Sequence, residues 1–385
     1  MSGGAYHARL FAPGPTPVPD LVRLSMAGPM IHHRTVAFAA VMQEVRDSLR
    51  WLFQTEHEVL ILSGTGTVGM EASVCNFLSP GDCALYVAAG RFGERWGELL
   101  AAYGCRGVAI EVPWGQAVTA DQVAAALARH PEARAVYLQA CETSTGVAHP
   151  VAAVAALCQA QPQTLCIVDA ITALGVDDLA LDRDGIDVLI SASQKALMLP
   201  PGLALVGVAP RAWAAAQRST LPRYYLDLAR EQRAAQKNQT AWTASVSLIL
   251  GLQASLRLMQ GEGLQDVFAR HRALAAACRA GLAALGCGLY AQSPARGLTA
   301  VTPQPGVAAG ALKDRLQKQF NLTLGGGQGA LAGKVIRLAH MGYFDALDMA
   351  TALAAIERAL AAEGAAVTFG AGVGALQASF SGPAA

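Results

Sequence analysis

Apolar residues are spaced differently in the two halves of the chain. Between about residue 40 and residue 210, short continuous apolar runs alternate with longer stretches of helical spacing. Glu58–Ser63, Cys83–Ala88, Gly107–Val112, Arg134–Ala140, Leu165–Ala170, Asp187–Ser191 and Leu203–Val208 read as strands buried on both faces. Phe92–Tyr103, Ala120–His130 and Val151–Gln159 read as the helices between them. This alternation predicts an α/β fold built on a mostly parallel sheet with helices on both sides.

After Pro222 the pattern changes. Long helices are expected over Thr243–Gln260 and Gly263–Leu285. Short strands come next near Leu289 and Thr299, then a helix at Ala308–Phe320, a strand at Val335–Leu338 and a helix at Asp345–Ala362. The expected division is a large domain over residues 20–255 and a smaller α+β domain over 256–385, joined by residues 1–19. Gly364–Ala385 carries no charge and reads as the end of the small domain and then a loose tail.

In sheets of this kind, ligands sit beyond the carboxyl ends of the strands. After the first strand comes Gly64-Thr65-Gly66-Thr67-Val68-Gly69, then a helical stretch. A helix start with free N–H groups and two hydroxyls suits a phosphate; the plainer reading is a glycine turn. A dinucleotide would need an acid at the end of the second strand to hold the ribose, and ALYVAAG offers none, although Arg91 would suit a 2′-phosphate. Asp169 ends a later strand, either as a helix cap or as a partner for a cationic ring nitrogen. Lys195 comes after another strand and is the only one of five lysines set in an apolar stretch. Desolvation there would lower its pKa and make it a nucleophile toward carbonyls; the alternative is a lysine that extends its head to water.

Composition narrows the field. The 385 residues are 53% hydrophobic and 15% charged, enough to bury an ordinary core, and they suggest two or three domains. With 29 basic and 28 acidic residues, no broad positive field is available for nucleic acid. No apolar stretch is long enough to cross a membrane, and the first residues lack a signal-peptide run. The eight cysteines include no C-x-x-C pair and read as buried thiols in a reducing compartment, which points to a cytoplasmic protein. The histidines show no metal-ligand spacing, so no metal site is expected.

A phosphate loop, a strand-end carboxylate and a buried amine together describe a site for pyridoxal 5'-phosphate. The segments PGPTPVP, HRT at 33–35, SGTGTVGMEA at 63–72, FGERW at 92–96, ETSTGV at 142–147, VDAITALG at 168–175, GIDVLISASQKALMLPPG at 185–202 and VIRLAHMG at 335–342 carry a resemblance to the class V aminotransferases. These are fold-type I pyridoxal phosphate enzymes that include the alanine–glyoxylate and serine–glyoxylate aminotransferases. The resemblance implies a large domain with a mostly parallel seven-stranded sheet and a smaller C-terminal α+β domain.

The resemblance also implies site roles. Lys195 takes the place of the Schiff-base lysine, and Asp169 that of the pyridine-nitrogen partner. Thr65, Gly66, Thr67 and Gln194 match phosphate positions. Phe92 matches the aromatic that stacks on the ring, and Thr143 the hydroxyl near its phenolic oxygen. Arg337 matches the arginine that grips the substrate carboxylate, a task its planar fork suits. Thr240 and Thr243 resemble the segment that reaches the phosphate of a neighbouring subunit, which implies a homodimer with shared active sites.

The expected reaction is a ping-pong transfer of an amino group from a small amino acid, alanine or serine foremost, to glyoxylate or pyruvate. Alternatives are 2-aminoethylphosphonate–pyruvate transamination, another class V activity such as desulfuration, and, more distantly, an NADP-dependent oxidoreductase using Gly64–Gly69. Desulfuration is disfavoured because the chain has no cysteine after Cys287.

Overall fold

A computed structural model describes residues 7–380. The central sheet has seven strands: β1 (Val59–Gly64), β2 (Cys83–Ala88), β3 (Arg106–Glu111), β4 (Ala135–Gln139), β5 (Leu165–Asp169), β6 (Val188–Ala192) and β7 (Gly202–Val208). Their order is β1-β7-β6-β5-β4-β2-β3. Only β7 runs antiparallel to its neighbours. Every residue of β4, β5 and β6 is buried, so these strands read as unbroken apolar runs. One apolar cluster lies on each face of the sheet, one including Leu85, Val136 and Val168, the other Tyr137, Ile167 and Ile190. These are alternate residues of the same strands, as a pleat requires.

The expected helices form with ends shifted by a few residues. Ala120–Arg129 opens with a capping box: the Thr119 hydroxyl accepts from the Gln122 amide, and the Gln122 side chain accepts from the Thr119 N–H. Val36–Phe53 is capped by Thr35 and packs against Val246–Glu262. The hydrophobic pattern does not mark Asp20–Met26, Val36–Phe53, Pro210–Ala216 or Leu228–Ala235 as separate helices, yet all four form.

A second sheet holds β8 (Gly288–Leu289), β9 (Leu298–Thr302), β10 (Gly325–Gly326) and β11 (Ile336–Ala339), in the order β8-β9-β11-β10, all antiparallel. The N-terminal segment is stitched to this region. Arg9–Leu10 pairs in parallel with Leu322–Thr323, and the Phe11 carbonyl accepts from Ala339 N at 2.8 Å.

Part of Gly364–Ala385, expected to be a small-domain end and then a loose tail, is helical. Ala371–Phe380 is a helix packed on Leu264–Ala284; residues 381–385 lie outside the described region. Without charged residues the segment has no polar face to reveal helical spacing. Its start is held by Glu357, buried on Ala346–Ala362, whose carboxylate accepts from Gly370 N at 2.9 Å and Gly372 N at 2.8 Å. An acid at a helix start satisfies amides that have no partner within the helix.

All eight cysteines are buried and free. No described helix is long and apolar enough to cross a membrane. Replacing Glu357 by alanine leaves the buried Gly372 amide and the part-buried Gly370 amide without their acceptor, so Glu357→Ala should lower stability by about 1–3 kcal/mol. Urea unfolding checks this, with Glu357→Gln expected to lose less.

Candidate active site

Five segments that come after parallel strands meet at one edge of the central sheet: Gly64–Thr67 after β1, Gly90–Phe92 after β2, Glu142–Thr143 after β4, Asp169–Thr172 after β5 and Ser193–Lys195 after β6. The loop from β6 to β7 is tied to itself. The Ser193 hydroxyl donates to the Pro200 carbonyl at 2.7 Å and accepts from Leu203 N at 3.2 Å, while Met198 takes a left-handed φ of 56°. Lys195 is therefore presented from a fixed turn.

The N-terminal segment lies across that turn. The Lys195 ammonium donates to the Pro13 carbonyl, the Thr16 hydroxyl donates to the Lys195 carbonyl at 2.8 Å, and Thr16 N donates to the Gln194 carbonyl at 3.2 Å. Gly14 has φ +120° and precedes a cis bond to Pro15. A Cβ on Gly14 would sit 2.2 Å from Lys195 Nζ, so only glycine leaves the amine its place. The PGPT motif carries the family resemblance, but nothing in its residue types points to the lysine.

Lys195 is partly buried. Desolvation, helped by the Arg337 charge, draws its pKa down to about 8. Asp169 is 6% exposed and accepts one hydrogen bond, from Ile171 N at 2.9 Å. Burial pushes its carboxyl up to about 6, while Arg95 and Lys195 pull the other way. A cationic group against it would restore the charged form.

Thr143 is buried and shares a 2.7 Å hydroxyl–hydroxyl bond with Thr172. Its carbonyl accepts from Arg337 Nη1 at 2.8 Å, and Arg337 Nε donates to the Gly326 carbonyl at 2.9 Å. Arg337 thus reaches from β11 to the central sheet's edge. It is 6% exposed, has no carboxylate partner among the described residues, and its Nη2 makes no bond there. Burial lowers its pKa. Glu142 pulls the other way without pairing with it, and a buried guanidinium with no ion-pair partner invites a carboxylate from outside the chain.

Thr65 precedes the helix Gly66–Phe77, and its hydroxyl is not used as a cap. Gly66 packs so closely that a Cβ would lie 2.3 Å from Ile171 Cδ1 and 3.2 Å from Ala192 Cβ. The Thr67 hydroxyl accepts from Arg95 Nη1 at 3.2 Å. Gln194 Oε1 is buried without a partner. An amide's two ends are interchangeable by rotation, so this is an unused polar group in the site wall.

Phe92 opens the helix Arg91–Ala102. Its start is capped by Glu142, which is fully buried and accepts from Phe92 N at 3.4 Å, Gly93 N at 2.9 Å and Ser144 N at 3.1 Å. The sequence gives Glu142 no signal beyond its place beside Thr143. Glu71, on the helix that follows the loop, accepts from the Tyr103 hydroxyl at 2.7 Å. Cys166 lies at the start of β5, where its N–H donates to Asp187, away from Asp169.

Thr240 and Thr243 are not brought to this cluster. They lie before Val246–Glu262; Thr240 is buried and donates to the Trp242 carbonyl at 2.6 Å, and Thr243 is exposed. Neither bonds to Thr65–Thr67 or Lys195 among the described residues.

The residues present fit pyridoxal phosphate. An unbonded hydroxyl, a helix start and an unpartnered buried amide suit the phosphate. A desolvated carboxylate with one internal hydrogen bond suits a protonated ring nitrogen, and an amine of lowered pKa suits an aldehyde. Holding the group would fall to Thr65, Gly66, Thr67, Phe92, Thr143, Asp169, Gln194 and Lys195.

Residues 23–340 match the family described as Aminotransferase class-V. The chain is 43% identical to a "Soluble hydrogenase, small subunit" of Synechococcus sp., over 92% of this chain and 93% of that one. It is 34% identical to the L-aspartate–glyoxylate aminotransferase of Paracoccus denitrificans, over 96% and 95%. Among solved structures, it is similar to the pyridoxamine–pyruvate aminotransferase of Mesorhizobium loti, with a TM-score of 0.94, 29% identity and 99% of both chains covered. The chain belongs to the class V aminotransferase family: it is a pyridoxal phosphate-dependent aminotransferase of fold type I.

Proposed function

We propose that this enzyme moves an amino group from a small amino acid, alanine or serine foremost, to glyoxylate or pyruvate by a ping-pong mechanism. The observation that carries this reading is the convergence of Lys195, Asp169 and Arg337, delivered by three separate elements to one sheet edge. When bound, pyridoxal phosphate supplies an aldehyde carbon and an electron-accepting ring. The Arg337 fork holds the α-carboxylate of donor and acceptor in turn, using the Nη2 face left free by Gly326 and Thr143. Lys195 Nζ would hold the aldehyde and, once freed, would be the base that moves the proton of the donor's α-carbon. Its lowered pKa leaves a sizeable neutral fraction near neutral pH. The Asp169 carboxylate would face the ring nitrogen and keep it protonated.

In this reading residues 20–255 form the cofactor-bearing domain, and residues 256–385 with 1–19 form the smaller one that brings Arg337. Thr240 and Thr243 serve a second copy of the chain. Arg34 donates to the Gln239 side chain and the Thr240 carbonyl, and the exposed Met30 lines one pocket with Ile31, Thr243, Val246 and Leu248. An apolar face next to the exposed Thr243 supports a homodimer. The hydrogenase name of the Synechococcus relative finds no support in this cluster: an amine, a carboxylate and a carboxylate-sized guanidinium site are groups for amino-acid chemistry.

Lys195→Ala should bind cofactor without developing the visible absorbance band, and turnover should fall by several orders of magnitude. Mixing single amino acids (alanine, serine, aspartate, ureidoglycine) with wild-type protein and watching that band bleach identifies the donor; no bleaching with any amino acid would sink the proposal. Because Arg337 depresses the Lys195 pKa, Arg337→Leu should raise it above about 8. In cofactor-free protein, the pH midpoint for capture of an amine-reactive probe should move up accordingly. Gly14→Ala should displace the amine and cost most of the cofactor occupancy, read from the same visible band.

A further inference from the structure

Arg95 is the cation at this site that the family resemblance leaves without a role. It lies one turn after Phe92 on Arg91–Ala102, and its guanidinium carbon sits 4.9 Å from the centre of the Phe92 ring. Its Nη1 also donates to the Thr67 hydroxyl at 3.2 Å. The side chain therefore bridges the aromatic and the start of Gly66–Phe77. Arg91 on the same helix pairs with Glu94 and Glu98, at 3.8 and 2.8 Å, whereas Arg95 has no carboxylate within ion-pair distance among the described residues. A partly buried guanidinium with no ion-pair partner, within electrostatic reach of Asp169 and aimed at a helix start, sits where an added anion would be held. With Arg95 covering one face of Phe92, only the opposite face is left for a planar ligand.

We propose that Arg95 is a cofactor-positioning residue: its guanidinium supplies the positive charge for the phosphate of pyridoxal phosphate beside Thr67 and fixes the Phe92 ring against which the cofactor stacks. This rests on the reading of the site as a pyridoxal phosphate site. It also assigns a task to the arginine of FGERW, whose i, i+3 spacing from Phe92 puts both side chains on one helix face. An oxyanion at this position could instead be the far carboxylate of a dicarboxylic donor, so the test separates the two sources.

The experiment uses the full chain freed of cofactor, titrated with pyridoxal 5'-phosphate and, separately, with pyridoxal, which lacks the phosphate. Binding is read by quenching of tryptophan fluorescence. Arg95→Gln should weaken pyridoxal phosphate binding by about 10- to 100-fold, the range for a lost charge-assisted hydrogen bond, and pyridoxal binding by only a few-fold. Arg95→Lys, which keeps the charge but loses the planar fork, should fall between Arg95→Gln and wild type, and it keeps the test open if Arg95→Gln does not fold. Unchanged pyridoxal phosphate affinity in both variants overturns the proposal. So does an equal loss for both ligands, or a variant whose only defect is a raised KM for aspartate with alanine unaffected. If wild-type protein fails to bind pyridoxal phosphate at all, the underlying reading of the site fails instead.

Discussion

The site depends on a conflict of charge. Arg337 lies close enough to make the Lys195 ammonium costlier, in a place where burial already disfavours both cations. The chain meets that cost with backbone carbonyls: Pro13 receives the ammonium, and Thr143 and Gly326 receive the guanidinium. Buried carboxylates are present but turned to other work. Asp169 holds an amide of its own turn, and Glu142 caps a helix. The two cations keep their charge available for groups that arrive from outside, an arrangement that favours binding over stability.

Around that conflict the fold acts as a convergence device. A parallel sheet delivers the ends of successive strands to one edge, so residues far apart in the chain become neighbours. The Glu142–Thr143 pair shows how tightly the parts are joined. The Glu142 carboxylate fixes the first turn that carries Phe92, while the next residue offers its hydroxyl to Thr172 and its carbonyl to Arg337. A change at this turn would disturb the aromatic platform, the Asp169 segment and the carboxylate clamp together.

Much of this is legible in the sequence because parallel strands are apolar on both faces and glycines mark the turns at their ends. Lys195 stands out because an ammonium is rare in an apolar stretch; Arg337 and Phe92 have no such signal and come from the family pattern alone. Gly14 is visible as part of a motif, yet its function, leaving room for an amine 181 residues later in the chain, is a matter of tertiary approach. Arg95 is silent in the sequence because its mark is a missing ion-pair partner, and residue spacing does not report missing partners. The helix Ala371–Phe380 is hidden for a related reason: the acid that starts it, Glu357, lies on another helix.

The path of the N-terminal segment has a consequence for the order of assembly. Arg9–Leu10 is held by Leu322–Thr323, and Phe11 by Ala339, before the chain continues to Pro13 and the lysine. Residues 9–11 therefore wait for residues 322–339, made much later, before they can take their place. Closing so long a loop is entropically slow, and contacts of this separation belong to the later stages of folding. The central sheet can gather its strands while the amine at its edge still lacks its carbonyl, which makes catalytic competence one of the last properties the polypeptide acquires.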